Sequence, residues 1–157
     1  MEKILIVAVA GRLPAWAAAA RDEYLKRLPR GFATRCVETK AEPRSGGREL
    51  SRVLAAEGAR IRAALPRAAR VVALDERGRD LTTAAFAALL RGWLDAGDPV
   101  GFAIGGADGL DPTLKRDATM QIRLSSLTLP HALAQVILCE QLYRAASLLS
   151  GHPYHRG

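Results

Sequence analysis

The chain has few of the residues that usually announce a chemistry. Among its 157 residues are two cysteines, three histidines and only 5% aromatic side chains. Cys36 and Cys139 lack metal-ligand spacing, so neither a disulfide framework nor a zinc site is expected. A reduced, cytoplasmic protein without a metal fits. Each thiol reads as a small core side chain rather than a nucleophile. Long apolar runs are missing too. Ala84 to Leu90 falls far short of the ~20 residues that a membrane span needs. The short apolar start, Ile4 to Ala10, followed closely by Arg12, reads as a buried strand and not as a signal peptide. The phosphate-binding glycine fingerprints are absent as well. There is no G-x-x-x-x-G-K-[ST], only Gly11 follows the first strand, and Ile104 stands where G-x-G-x-x-G would need its first glycine. With no H-E-x-x-H and no G-x-S-x-G, P-loop, Rossmann, zinc-protease and α/β-hydrolase chemistry are all disfavoured.

What is present suits one domain over residues 1–157. Hydrophobic residues make up 49% and charged residues 25%, an ordinary globular balance with enough chain for a core. The formal charge of +7 is unevenly placed. Residues 1–80 carry 17 basic and 10 acidic side chains, whereas residues 81–157 carry six of each. An anionic macromolecule is therefore drawn to the first half.

The pattern alternates strands and helices. Lys3 to Val9 is a buried strand of the parallel-sheet kind. A helix follows Pro14, with Trp16, Ala20 and Tyr24 at helical spacing, and ends at Pro29-Arg30-Gly31. Ala33 to Glu38 is the second strand. Glu42 to Arg48 is a loop, and Leu50 to Leu65 is an amphipathic helix. Val71 to Leu74 is the third strand, and Asp75 to Asp80 reads as a polar loop. Thr82 caps the next helix and Gly97 stops it. Val100 to Ile104 is the fourth strand. A short helix runs from Asp111-Pro112 to Met120, and the fifth strand lies within Ile122 to Leu129. Pro130 opens a last helix that Gly151 closes. This alternation predicts an α/β domain whose mostly parallel sheet is flanked by helices. Ligands in such sheets bind beyond the strand carboxyl ends, where Leu74-Asp75, Ile104-Gly105-Gly106 and Leu127-Thr128-Leu129 converge.

Three constellations carry chemistry. Gly105-Gly106-Ala107-Asp108-Gly109 lets backbone approach a ligand closely, although a plain tight turn would read the same. Leu124-Ser125-Ser126-Leu127-Thr128-Leu129 offers backbone groups to a base edge and leucines to its faces, or is simply a strand before a helix. The tail His152-Pro153-Tyr154-His155-Arg156-Gly157 unites imidazoles, a phenol and a guanidinium. Arg suits phosphate, Tyr stacks on a base, and His accepts a proton. A frayed end is the plainer alternative. His131, in the first turn of the last helix, is expected to be neutral because a helix N-terminus disfavours a cation.

Taken together, these pieces resemble the ribosomal RNA large subunit methyltransferase H family of SPOUT methyltransferases over essentially the whole chain. The matching segments are Ile6 to Val9, Pro14-Ala15-Trp16, Glu23-Tyr24-Leu25, Leu74-Asp75, and Ile104-Gly105-Gly106 with Gly109-Leu110. Leu124-Ser125, Leu127 to His131, Glu140 to Ala145 and Gly151 to Arg156 complete the match. The resemblance implies transfer of a methyl group from S-adenosylmethionine to N3 of a pseudouridine in 23S ribosomal RNA. A lone small domain with no recognisable extra RNA-binding domain has little surface to specify one nucleotide, so the assembled ribosome and not naked RNA is the expected substrate. It implies that Leu74, Gly105, Gly106 and Leu124, Ser125, Ser126, Leu127, Thr128 and Leu129 hold the cofactor. His131 and Arg144 are then candidate substrate contacts. A homodimer that completes the site across two subunits is implied as well. So is a C-terminal trefoil knot, which physical rules of chain connection would have rejected.

Two departures stand out. The family often has Pro-Glu after the paired glycines, where this chain has Ala107-Asp108, and the loop from Arg44 to Arg48 has no lysine. For the chemistry, His155 is the candidate base for the imide proton, with Tyr154 and Arg156 positioning the nucleotide. Water and Asp108 are the competing bases. A non-catalytic ribosome-binding factor and a flavodoxin-like nucleotide-binding enzyme are the rival classes.

Overall fold

All six positions of Ile4–Val9 (β1) are apolar and all six are buried. A strand hidden on both faces belongs inside a parallel sheet. In the computed structural model, which describes residues 3–9, 11–44, 46–152 and 154, that is where it lies. β1 sits between β2 (Thr34–Thr39) and β4 (Val100–Ile104), followed outward by β3 (Arg70–Asp80) and β5 (Met120–Arg123). The order is β2-β1-β4-β3-β5, and every pair is parallel. Parallel pairing forces a crossover between strands. Helices α1 (Ala15–Lys26), α2 (Leu50–Ala64), α3 (Thr83–Asp95) and α4 (Pro112–Asp117) supply the crossovers, and α5 (His131–Ser150) ends the fold.

The pleat sorts the core into two layers. Ile4, Ile6, Ala8, Val72 and Phe102 face one side, with Phe86 and Leu90 of α3 and Leu138 and Leu142 of α5. Leu5, Val7, Val9, Ala73 and Ala103 face the other, with Ile61 of α2 and Leu114 of α4. α5 packs on both α1 and α3. Cys139 is fully buried and Cys36 partly so, both as free thiols in the first layer. A hydrogen bond that the Cys139 thiol donates to Cys36, reinforced by burial, pushes the Cys139 thiol up. Among the described residues no helix is long and apolar enough to cross a membrane.

Local signals act as the sequence indicates at several points. Thr82 caps α3 by accepting from the Ala85 amide at 3.1 Å, and Gly97 adopts φ 82° beyond the helix. Asp111 caps α4. Gly151 takes the left-handed conformation at the end of α5, and the His152 amide donates back to the Ser147 carbonyl at 2.8 Å.

Three expected boundaries are corrected. The short helix ends at Asp117 rather than Met120, because Ala118 is already extended and the chain enters β5 at Met120. The fifth strand therefore finishes at Arg123, and residues 124–130 carry no regular structure. There the Ser125 hydroxyl accepts the Leu127 amide at 2.9 Å, a local turn that competes with the sheet ladder. Asp75 to Asp80 is no loop; it continues β3. Its pairing with β5 shifts register, so that Leu74 and Arg79 both align with Ile122. Polar composition concealed this strand because Glu76, Arg77, Arg79 and Asp80 are exposed.

The shifted crossing leaves no room for a side chain at Gly78. A Cβ there would stand 2.5 Å from the Ile122 carbonyl carbon, and backbone cannot rotate aside. Gly78→Ala is expected to lower the melting temperature by roughly 4 °C or more. Gly92→Ala, within α3 and with open space around its Cβ, is expected to hold or raise it. Thermal denaturation of both variants checks the contrast.

Candidate functional site

The carboxyl ends of β3, β4 and β5 open into a cavity of about 480 Å³, within the range of small-molecule sites. Leu74, where β3 breaks its regular pairing, and Ile104, where β4 ends, border it. Gly105 to Gly109, Leu124, Ser125, Leu127, Thr128 and Leu129 line it, with His131 and Ala134 from the first turn of α5. Of the nine residues expected to hold a cofactor, eight meet there. Ser126 is absent from the lining.

The glycine turn is built for close approach. The Gly109 amide donates to the Gly106 carbonyl at 3.1 Å, and Gly109 has φ 81°. A Cβ on Gly105 would fall 2.4 Å from the Gly109 carbonyl carbon, so residue 105 must be glycine for the turn to close at all. On the opposite wall Leu127 is 75% exposed. An apolar side chain of that size left in water beside a cavity is poised to gain by covering a ligand.

The charges around the cavity are mostly tied up. Asp75 pairs with Lys115 at 3.5 Å, and Arg123 pairs with Asp80 at 3.2 Å. Asp108 accepts from the Arg44 Nε at 2.6 Å. That contact makes Asp108 a poor candidate base, since its carboxylate is already engaged by a guanidinium. Asp108 and the buried Glu57, at 3.3 Å from Arg44 Nη1, raise the Arg44 pKa above its ordinary value. Glu57 also accepts the Glu42 amide at 3.0 Å, while Arg48 and Arg60 both pair with Glu42. A buried carboxylate on α2 thus holds the loop after β2, and that loop holds the glycine turn. Sequence reading missed this chain of contacts because Arg44, Glu57 and Asp108 are remote in sequence.

The tail lies elsewhere. Tyr154 packs on Tyr143 with ring centroids 4.5 Å apart, and Arg144 stacks over its ring at 5.0 Å while pairing with Glu140. Burial, reinforced by a hydrogen bond with Tyr24, pushes the Tyr154 phenol up to about 12. It is therefore neutral at pH 7, a donor and not a base. Tyr143 is 12 residues beyond His131 on α5, about 18 Å along the axis at 1.5 Å per residue. Tyr154 and Arg144 therefore stand apart from their own chain's cavity, whereas His131 lines it. His155 and Arg156 lie outside the described residues. Among the described residues no cluster of His, Cys, Asp and Glu that could hold a metal is found.

Comparison with known proteins gives a consistent picture. A family described as "Predicted SPOUT methyltransferase" matches residues 2–155. Proteins named ribosomal RNA large subunit methyltransferase H are similar along nearly the whole length. The one from Verminephrobacter eiseniae is 58% identical over 154 residues, and the one from Burkholderia vietnamiensis 54%, each covering 98% of this chain and 99% of the relative. Among solved structures, a probable methyltransferase from Bordetella pertussis superposes with a TM-score of 0.62 at 16% identity, over 92% of this chain and 95% of that one. A probable methylase family protein from Haemophilus influenzae gives 0.60 at 14% identity, over 98% and 70%. At such low identity the structural likeness speaks for the fold.

The Arg44 contact predicts a local effect. In Arg44→Met, amide hydrogen exchange at Gly109 is expected to accelerate by on the order of tenfold, with β1 unchanged. Equal exchange in wild type and variant would show that the turn holds itself.

Proposed function

The chain belongs to the ribosomal RNA large subunit methyltransferase H family of SPOUT methyltransferases, and from that premise we propose that it methylates N3 of a pseudouridine in 23S ribosomal RNA, with S-adenosylmethionine as donor. The observation that carries the reading is the cavity at the carboxyl ends of β3, β4 and β5, where eight of the nine residues assigned to the cofactor meet. Its mix of leucine faces and unobstructed backbone suits an adenosine, the leucines covering the ring and the backbone groups reading its edge.

The sulfonium donor supplies an activated methyl group, so the protein's task is to align N3 with that methyl and take up the N3 proton. His155 is our candidate for the proton, with Arg156 on a phosphate or the developing imide charge. The neutral Tyr154 phenol fits a donor or a stacking platform. His131, at the cavity, and Arg144 are candidate contacts to the nucleotide.

Chain geometry favours a site completed by two subunits. α5 is 20 residues long, about 30 Å. Tyr154, the last described residue, packs on Tyr143 near the far end of α5 from the cavity, so we place the tail's task at a second copy's cavity in a homodimer. A trefoil knot at the C-terminal half is part of the same reading. So is action on the assembled ribosome, because a domain of this size offers little surface to select one nucleotide. The basic first half suits rRNA phosphate, and binding should weaken steeply with salt.

Calorimetric titration with S-adenosylmethionine tests the reading. Gly105 is a poor site for a disrupting variant, since any Cβ there breaks the turn itself. Leu127→Ser is the better probe. It should weaken binding roughly tenfold while the melting temperature stays within about 1 °C, because the side chain is exposed. Saturable wild-type binding, followed by methyl transfer to ribosomes in preference to naked RNA, is the expected outcome. Ribosome binding without cofactor binding or methyl transfer would instead identify a non-catalytic factor.

A further inference from the structure

Six carboxylate, ammonium or guanidinium side chains line the cavity: Asp75, Glu76, Arg77, Asp108, Lys115 and Arg123. Four of them are neutralised in ion pairs, Asp75 with Lys115, Asp108 with Arg44 and Arg123 with Asp80. Glu76 and Arg77 are the remaining two, and among the described residues neither has a hydrogen-bond or ion-pair partner. They are adjacent in sequence and opposite in sign.

In a regular strand, neighbours point to opposite faces. Here β3 abandons regular pairing between Leu74 and Arg79, and both residues border the same cavity. The irregularity requires glycine at residue 78, where any Cβ would meet the Ile122 backbone. Its effect is to hold one free anion and one free cation side by side on a site whose other carboxylates, ammonium and guanidinium groups are paired, and whose remaining lining is apolar, glycine, hydroxyl or the imidazole of His131.

From this placement we propose that Glu76 and Arg77 form the subsite for an α-amino acid zwitterion. Arg77 receives the carboxylate and Glu76 the ammonium of the methionine end of the cofactor. The inference rests on the S-adenosylmethionine reading above and specifies which end of the ligand meets which wall. A guanidinium offers a planar fork that matches a carboxylate, so the pair recognises the amino acid end by geometry as well as charge. The nucleoside end is left to the glycine turn and residues 124–129, where no free charge would have to be buried.

Two ligands separate the ends. S-adenosylhomocysteine carries the amino acid group; 5′-methylthioadenosine shares the nucleoside and thioether but lacks it. Calorimetry on the full chain should find that Arg77→Met weakens S-adenosylhomocysteine by about tenfold, the worth of one charge-assisted contact. Binding of 5′-methylthioadenosine should change less than about twofold. Glu76→Gln should act in the same direction, and Arg77→Lys should recover much of the loss. Equal weakening of both ligands, or no weakening of either, would overturn the subsite. If wild type binds neither ligand, the cofactor reading itself fails, and the subsite falls with it. That result is distinct from loss confined to the amino acid end.

Discussion

The structure depends on β3, which holds a partner on each side up to Leu74 and beyond it keeps β5 alone. On one flank it pairs with β4 through Leu74; on the other it meets β5 twice at Ile122, before and after its irregular stretch. Because all pairs are parallel, the carboxyl ends of β3, β4 and β5 are forced to one edge. The cavity is a product of that constraint: β4 and β5 stop and β3 breaks its regular pairing at the same edge, and the segments that follow enclose an empty space. Leu74, Ile104 and Leu124 owe their meeting to strand register and not to any local motif.

Electrostatics then stiffens the rim. Glu57 is nearly inaccessible on α2, with one carboxylate oxygen unpartnered, yet its other oxygen takes both the Glu42 amide and Arg44. Removing one partner from such an arrangement leaves a buried charge uncompensated, which is why the network persists as a unit. Gln135 on α5 is likewise buried with both amide atoms unpartnered. It lies one turn past His131, so the helix that borders the cavity also carries unspent hydrogen-bonding capacity into the core.

Much of the fold was legible because its signals are strong. The six buried residues of β1, the Thr82 cap, the Asp111-Pro112 helix start and the Gly151 stop each appear where composition and turn chemistry place them. Most of the candidate site was legible too, since glycine and leucine-rich segments at strand ends mark a cavity in this architecture. What escaped was long-range. The β3 extension is polar and exposed, so it mimics a loop, and only its pairing with β5 reveals it. The Arg44 to Asp108 contact joins residues 64 apart in the chain, which no periodicity can signal. The distance of Tyr154 from its own cavity follows from the straight run of α5, a fact visible only once the direction of that helix is known.

Gly78 and Gly105 are alike in one respect: each lies where even a methyl group would enter backbone, against Ile122 in one case and Gly109 in the other. In genetic terms these are dead ends. Glycine codons share their first two bases, and any single-base change that alters the residue adds at least a Cβ or ends the chain. Neither position therefore has a small step available, and a lineage bearing this fold can vary the leucines of the cavity gradually while these two sites stay fixed or the fold is lost. The same crowding that shapes the cavity also narrows the routes by which its rim can evolve.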